Sequence, residues 1–220
     1  MPHHLSVEAF AAVDGQLVGV LLAAGFGRRF GGDKRVHALP DGTLMALASA
    51  RQLQSACRHT VAVVRSDDDL LANGMRDIGC TVVCSADAAH GMGHSLATAV
   101  LATRTAAGWL VALADMPFIR QESYRLVREA LAAGLSIARP SYRGQPGHPV
   151  GFSAAWGGKL AVLTGDRGAR DLVAEAGWSC AIVEVDDPGV IRDIDTPADL
   201  LAGGSLRPCR ADCVGRPAGR

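Results

Sequence analysis

The chain has 220 residues, 49% of them hydrophobic, and its 22 lysines and arginines balance its 22 aspartates and glutamates. This length and composition predict one globular domain. The balanced charge speaks against nucleic acids and anionic membranes as partners, because both need an excess of positive charge. No apolar run approaches the roughly 20 residues that cross a bilayer, and the N-terminus lacks the pattern of a signal peptide. We therefore expect a cytoplasmic protein with no nucleic-acid partner and no membrane partner.

Short apolar runs alternate with segments of helical length along most of the chain. The predicted strands are apolar or β-branched throughout, as in strands that are covered on both faces; they are Val18–Ala23, Thr60–Val64, Thr81–Cys84, Trp109–Ala114 and Ala181–Val185. The segments between them predict helices at about 43–57, 67–78, 93–105 and 120–133. Such alternation predicts an α/β fold with a doubly wound, mostly parallel, Rossmann-like sheet.

Three segments fall outside this alternation. Residues 136–153 contain two short apolar runs around Arg143-Gly-Gln-Pro-Gly147, which predicts a small β insertion. Residues 1–17 are interpreted as an N-terminal extension. Residues 203–220 are rich in Gly, Pro and Arg, with little to bury, and are expected to be a disordered tail. The domain itself is placed at 18–202.

A glycine-rich segment with basic residues follows the first predicted strand. It reads Leu22-Ala-Ala-Gly-Phe-Gly-Arg-Arg-Phe-Gly-Gly-Asp-Lys34. Glycines allow tight turns that present backbone N–H groups to an anion, so the segment suits a polyphosphate. The dinucleotide fingerprint fails because Phe30 stands where its last glycine is needed, and the Walker pattern fails because Asp33 precedes the lysine.

Carboxylates follow two later apolar segments. Asp115 comes directly after the fourth predicted strand, and Asp193 and Asp195 are two residues apart, which points both to one side of an extended chain. Open α/β sheets bind ligands beyond the carboxyl ends of their strands. Asp115 is therefore either a Mg²⁺ ligand or a helix cap. Asp199, after Thr196-Pro197, is interpreted as a first-turn helix residue.

These segments resemble the molybdenum-cofactor nucleotidyltransferases and their wider MobA-like relatives. The family signature Leu-Ala-(Ala/Gly)-Gly-x-x-x-Arg-(Met/Phe)-Gly-x-x-Lys is matched in register by Leu22–Gly25, Arg29–Gly31 and Lys34. The segments Asp115-Met-Pro117 and Asp193-Ile-Asp195-Thr-Pro197 are similar to the family's metal-binding motifs.

The resemblance implies a role for each matching residue. Arg29, Lys34 and Asp115 would be catalytic, and Asp115 would hold Mg²⁺ with a second ligand from Asp195 or, alternatively, Asp193. The predicted nucleotide-binding residues lie in the glycine-rich segment and at the start of the third helix; they are Leu22, Ala23, Ala24, Gly25, Gly27, Gly91 and Ser95. Gly93 replaces a family serine in Gly91-Met-Gly-His-Ser95, and Ser95 as a mere helix cap stays open.

Two further segments resemble acceptor-side motifs of the molybdopterin cytidylyltransferases. They are Gly144–Val150 and Gly165–Arg170, and they predict acceptor binding by His148, Asp166, Gly168 and Arg170. Ala24 is similar to the cytidylyl-transferring members, whereas Gly31-Gly-Asp-Lys34 looks somewhat like the guanylyl type.

The predicted function is therefore Mg²⁺-dependent transfer of CMP from CTP to the terminal phosphate of molybdopterin. A molybdoenzyme that receives the finished cofactor is a further expected partner. Two alternatives stay open: the same chemistry with GTP, another NTP or another phosphate acceptor, and a non-catalytic nucleotide-binding or cofactor-chaperone paralogue.

Overall fold

The computed structural model describes residues 15–25, 30–87, 90–166 and 168–201. The strands are β1 (Leu17–Leu22), β2 (His59–Arg65), β3 (Thr81–Ser85), β4 (Gly108–Leu113), β5 (Ile137–Tyr142), β6 (Gln145–Pro146), β7 (Val150–Ser153) and β8 (Cys180–Glu184). The helices are α1 (Met45–Gln54), α2 (Asp69–Asp77), α3 (Met92–Ala102), α4 (Gln121–Ala132), α5 (Gly157–Leu160), α6 (Arg170–Ala176) and α7 (Pro197–Leu201). Every predicted strand and helix is present, with ends that differ by a few residues.

All the strands belong to one sheet of order β3-β2-β1-β4-β7-β5-β6, with β8 paired to β5. Strands β3, β2, β1 and β4 are parallel, and β8 is parallel to β5. Strand β7 runs antiparallel to both β4 and β5. The mostly parallel sheet predicted from the sequence is confirmed.

Helices cover both faces of the sheet, so the doubly wound arrangement is confirmed as well. One face packs against α1, α2 and α4 through a core that includes Leu53, Met75 and Tyr124. The other packs against α3, α5 and α6 through a core that includes Leu96 and Trp109. Because side chains alternate along a strand, each central strand contributes to both cores.

The segment 136–153 forms the predicted β structure, but it is part of the main sheet and not an appendage to it. Strand β7 lies directly beside β4, with Val111 opposite Val150, and it connects β4 to β5. Its apolar residues are buried for this reason, Phe152 completely. Within the described ranges no helix is long and apolar enough to span a bilayer.

Candidate functional site

The loop after β1 and the loop after β4 lie side by side. The two strands are parallel neighbours, with Leu22 opposite Leu113, so their carboxyl ends meet at one edge of the sheet. The Ala114 N–H donates to the Leu22 carbonyl at 3.2 Å. Lys34 in the first loop and Asp115 in the second can therefore meet across this edge.

Lys34 joins three segments that are distant in sequence. Its Nζ lies 2.7 Å from Asp115 Oδ2 and 3.0 Å from Asp195 Oδ1, and it donates to the Ile194 carbonyl at 2.9 Å. Only 12% of the Lys34 side chain is exposed. Burial by itself lowers the pKa of Lys34, but Asp115 and Asp195 outweigh burial and raise the pKa above its ordinary value. Lys34 is thus held as a cation.

Asp193 completes an acidic cluster around Lys34. Its pKa is raised, first by burial and then by the charges of Asp195 and Asp115, while Lys34 opposes the shift only in part. The second oxygen of Asp115, Oδ1, is buried and has no hydrogen-bond partner. Three carboxylates against one ammonium leave excess negative charge, and hard oxygen donors of this kind suit a divalent cation.

The carboxylates do not close around an ion as they stand. Among the residues that the structure describes, no three acidic, histidine or cysteine side chains are arranged to hold a metal. Lys34 instead supplies positive charge between Asp115 and Asp195. The oxygen donors fit a divalent metal, and Asp115 Oδ1, which has no hydrogen-bond partner, is the oxygen that would bind it.

Local capping fixes the backbone that carries Asp195. The Asp199 carboxylate accepts from the N–H groups of Asp195 and Thr196, at 3.1 and 2.7 Å, and from the Thr196 hydroxyl at 2.8 Å. Helix α7 begins at the next residue, Pro197. Asp199 is therefore a first-turn helix residue, as predicted.

The glycine-rich segment is described only in part. Ala23 and Ala24 are buried and Gly25 is exposed, while Gly27 and Arg29 lie outside the described residues. Beyond this gap Phe30 packs with Leu39, Met45 and Ile194 in a small apolar cluster. This cluster ties the end of the segment to the chain that carries Asp195.

Sequence reasoning missed a set of charged residues beneath this segment. Arg35 is 2% exposed and contacts Asp33 and Asp68, with 2.6 Å between Arg35 Nη2 and Asp68 Oδ2. Arg65, at the end of β2, lies 2.9 Å from Asp33 Oδ2. The pairing of β1 with β2 brings the charged residues after the two strands together at one edge, but no local sequence pattern specifies which of them meet.

The start of α3 lies in close contact with residues 164–166 and with Gly168. A Cβ on Gly93 would lie 2.6 Å from the Thr164 carbonyl oxygen, and one on Gly91 would lie 2.3 Å from the Gly165 carbonyl carbon. The Gly93 N–H donates to the Gly165 carbonyl at 2.8 Å. Glycine at position 93, where the family has serine, leaves room for this backbone.

Ser95 does not cap α3. The helix begins at Met92 and its N-cap is Gly91, which makes no side-chain hydrogen bond. Ser95 lies inside the first turns and is buried. The alternative that Ser95 serves only as a cap is therefore wrong, whereas its nucleotide-binding role stays a prediction.

The four predicted acceptor residues lie against different elements. Gly168 packs beside Met92 of α3, and Asp166 and Arg170 are exposed on either side of it. His148 lies just before β7, where its N–H donates to the Val190 carbonyl at 2.8 Å. Burial, followed by the charge of Arg139, lowers the pKa of His148 to about 4. His148 is therefore half-buried and neutral at neutral pH, and its acceptor role stays a prediction.

A doubly wound sheet with a phosphate-type loop after β1, and a lysine held by carboxylates from two later loops, defines a nucleotidyltransferase. The family model described as MobA-like NTP transferase domain matches residues 19–180. The chain belongs to this family.

Curated relatives cover most of the chain. Purine catabolism protein PucB of Bacillus subtilis is 30% identical over 83% of this chain and 93% of its own length. Nicotine blue oxidoreductase of Paenarthrobacter nicotinovorans is 29% identical, with coverages of 82% and 92%. The molybdenum cofactor cytidylyltransferase of Escherichia coli is 24% identical, with coverages of 83% and 92%.

Solved structures agree with the fold. Rv0371c of Mycobacterium tuberculosis superposes with a TM-score of 0.72 at 27% identity, covering 84% of this chain and 95% of that protein. A second structure of Rv0371c, at 25% identity and a TM-score of 0.69 with the same coverages, is a complex with manganese.

Proposed function

We propose that this chain transfers CMP from CTP to the terminal phosphate of molybdopterin, with Mg²⁺ as cofactor, and releases pyrophosphate. The observation that carries the proposal is the contact of Lys34 with Asp115 and Asp195 at the carboxyl edge of the sheet. It places a cation and two acidic groups beside the loop that suits a triphosphate. The similarity to the E. coli molybdenum cofactor cytidylyltransferase supports the choice of substrates.

The proposed reaction is an in-line displacement at the α-phosphorus of the NTP. An oxygen of the acceptor phosphate forms a bond to this phosphorus, and the bond to the β-phosphate oxygen breaks, so that pyrophosphate leaves with the electron pair. A phosphate monoester has its second pKa near ~6 and is already largely ionised at neutral pH. The protein therefore needs no general base for this step.

The contribution of the chain is alignment and charge. Lys34 would donate to the triphosphate, and the buried backbone of Ala23 and Ala24 would fix the loop around it. Asp115 and Asp195, with Asp193 beside them, would hold Mg²⁺, which supplies neutralisation of phosphate charge when it is bound. The manganese complex of Rv0371c supports a divalent metal in this fold.

The choice of base rests on Ala24. This residue follows β1 and is 3% exposed, and the cytidylyl-transferring members that the sequence resembles carry alanine there. The extra carbon would crowd a purine more than a pyrimidine, which favours CTP over GTP. The acceptor is inferred from the segments around His148 and Gly165–Arg170.

The test is pyrophosphate release from CTP, GTP, ATP and UTP, each with Mg²⁺ and with molybdopterin as acceptor. CTP is expected to give the fastest release. Faster release with GTP would overturn the base assignment, and release that requires a different phosphate acceptor would overturn the acceptor. Nucleotide binding without pyrophosphate release in any combination would favour a binding paralogue.

Variants test the roles of Lys34 and Asp115 in the same assay. Lys34→Ala and Asp115→Asn are each expected to lower turnover by roughly 10²-fold or more, by analogy with other lost electrostatic contacts at active sites. Asp69→Asn, an exposed acid in the first turn of α2, is the matched control and should keep wild-type turnover. Near-normal rates for both site variants would rule out the assignment.

A further inference from the structure

A partly buried network of two arginines and two aspartates lies beside the described ends of the glycine-rich segment. It consists of Asp33, Arg35, Arg65 and Asp68, and it is called the Arg35 network below. Arg35 Nε donates to Asp33 Oδ1 at 2.8 Å, and Arg35 also pairs with Asp68. Arg65 Nη2 donates to Asp33 Oδ2 at 2.9 Å.

Both arginines also hold the backbone of the glycine-rich segment. Arg35 Nη1 donates to the Ala23 carbonyl at 2.5 Å, and Arg65 Nη1 donates to the Gly25 carbonyl at 3.3 Å. In a trans peptide the C=O and N–H groups point in opposite directions. Because Arg35 binds the Ala23 carbonyl, the N–H of Ala24 in the same peptide group points away from Arg35.

The network also fixes the turn that carries Lys34. The Asp33 carboxylate caps the short 3-10 helix Lys34–Val36 by accepting from the Arg35 N–H at 3.1 Å. The two neighbours of Lys34 in sequence are thus pinned by their own side chains. The ammonium of Lys34 is left to reach Asp115 and Asp195 on the other side.

The charges within the network cancel, so it is not itself an anion site. Two guanidinium groups face the carboxylates of Asp33 and Asp68, and the exposed Asp67 adds a weaker contact of 3.5 Å to Arg65 Nε. The pKa of Asp33 is lowered, because Arg35 and Arg65 outweigh the effect of burial. The pKa of Arg35 is raised, because Asp33 and Asp68 outweigh the effect of burial.

Stability alone does not account for such a network. Apolar residues of similar volume commonly stabilise a protein as well as a buried ion pair does, because burial costs both charges their hydration. A guanidinium fork does fix directions, since its donors are rigid and planar. Orientation of the loop is the benefit that apolar residues could not supply.

We propose that Arg35 and Arg65 are positioning residues, which hold the backbone at Ala23 and Gly25 and the Lys34 turn in the geometry that receives the NTP triphosphate. The inference rests on the proposed use of Lys34 at the triphosphate. It assigns no contact with substrate to either arginine.

The test compares Arg35→Met and Arg35→Lys with wild type in steady-state pyrophosphate release, nucleotide binding and thermal unfolding. The nucleotide is whichever of CTP, GTP, ATP and UTP the wild-type protein binds most tightly with Mg²⁺. Arg35→Met is expected to lose about 10²-fold in kcat/KM, the cost typical of a misplaced reacting group. All rates are measured at a temperature where each variant is fully folded.

Arg35→Lys separates positioning from stability. One ammonium can pair with the carboxylates but cannot also reach the Ala23 carbonyl. Compared with Arg35→Met, Arg35→Lys should therefore recover most of the lost melting temperature but a smaller part of the lost kcat/KM. Arg125→Met is the matched control: Arg125 pairs with Glu122 and Glu129 on the exposed face of α4, far in sequence from the loop. It should keep wild-type kcat/KM.

Two results would overturn the inference. One is wild-type kcat/KM in folded Arg35→Met, and the other is equal recovery of melting temperature and kcat/KM in Arg35→Lys. If Arg35→Met fails to fold, Arg65→Met takes its place, since Arg65 lies nearer the surface with 18% of its side chain exposed. A smaller loss of about 10-fold in kcat/KM is expected there, because Arg35 still binds the Ala23 carbonyl when Arg65 no longer binds Gly25 and Asp33. A wild-type protein that binds none of the four nucleotides would refute the proposed function together with this inference.

Discussion

Lys34 stands among three carboxylates in a partly buried site, so negative charge exceeds positive charge there. A buried charge is costly unless it is paired. Lys34 is paired twice, but Asp115 Oδ1 has no partner and the pKa of Asp193 is raised by burial and by its acidic neighbours. Among the residues that the structure describes, the groups in contact with Lys34 and Asp193 therefore carry more negative than positive charge.

A divalent cation is expected to stabilise the folded protein through these carboxylates. Mg²⁺ or Mn²⁺ should raise the melting temperature of wild type, because an ion that binds only the folded state stabilises it by mass action. Asp115→Asn should abolish most of this rise, which differential scanning fluorimetry with and without EDTA would measure. Asp87→Asn, at an acid that is 67% exposed and paired with His90, is the control. Equal shifts in both variants would place the ion elsewhere.

His148 predicts a specific loss of stability in acid. Its pKa falls to about 4 in the folded protein, mainly through burial, against an ordinary value of 6.5. Between these values the unfolded chain binds the proton and the folded chain does not, so stability present above pH 6.5 is lost as the pH falls toward 4. One such group changes the free energy of unfolding by up to about 1.4 kcal/mol per pH unit.

The check is urea unfolding of wild type and His148→Asn at several pH values between 4 and 7. The variant is expected to lose less stability than wild type over this window. Parallel pH dependences for the two proteins would mean that His148 is protonated in the fold and faces water.

At the scale of elements, the contact between α3 and residues 164–166 depends on glycine. Gly93 approaches the Thr164 carbonyl so closely that any side chain would have to displace backbone. Gly93→Ala is therefore expected to cost about 1–3 kcal/mol in the free energy of unfolding, the usual range for overpacking. Chemical denaturation would measure it.

Gly158→Ala is the matched control for this substitution. Gly158 lies in α5, and an added Cβ there would meet nothing within 4 Å. Alanine favours a helix over glycine by up to about 1 kcal/mol, so this variant should be neutral or slightly more stable. A destabilisation of Gly93→Ala no larger than that of Gly158→Ala would show that the segment 164–166 moves aside without cost.

The sequence predicted those elements whose signal is local. Strands β1, β2 and β4 are continuous apolar runs, which need no knowledge of their partners to be recognised. Strand β7 was placed only as part of an insertion, because its neighbours β4 and β5 are set by long-range pairing that no run of residues records. Lys34, Asp115 and Asp195 could be found because each follows a recognisable apolar segment.

The Arg35 network could not be predicted with the same tools. Arg35 has the composition of a surface residue, and its burial depends on Asp68, which arrives from the loop after β2. Only the order of β1 and β2 in the sheet brings these side chains together. For the same reason, the position of the His148 backbone depends on its hydrogen bond to the carbonyl of Val190, which belongs to a later segment of the chain.

At the scale of the whole molecule, the site is completed by residues 187–195, near the end of the described chain. The segment 187–195 passes between α4 and the β5–β7 region: the Asp187 carboxylate accepts from the Arg120 N–H at 2.8 Å and the Ser123 hydroxyl at 2.7 Å. The Ile194 N–H then donates to the Asp115 carbonyl at 2.9 Å. Asp195 follows directly, although the family match ends at residue 180.

Two truncations test where the functional unit ends. A chain that stops at residue 202 is expected to keep the melting temperature and turnover of the full chain, because we propose from composition that 203–220 has little to bury. A chain that stops at residue 186 loses the buried side chains of Val190, Ile191 and Ile194. At about 1.5–3 kcal/mol each, these contribute on the order of 5 kcal/mol, which is as large as the whole stability of many domains.

Thermal unfolding and pyrophosphate release of the two truncated chains separate these contributions. The shorter chain should lose its cooperative transition or melt far below the full chain, and it should have no turnover because Asp193 and Asp195 are gone. If the chain ending at 202 lost turnover but kept its melting temperature, residues 203–220 would contribute to the substrate site and the proposed domain limit would be wrong. If the chain ending at 186 stayed active, Asp195 could not be a metal ligand, and Asp115 with Lys34 would have to hold the triphosphate without it.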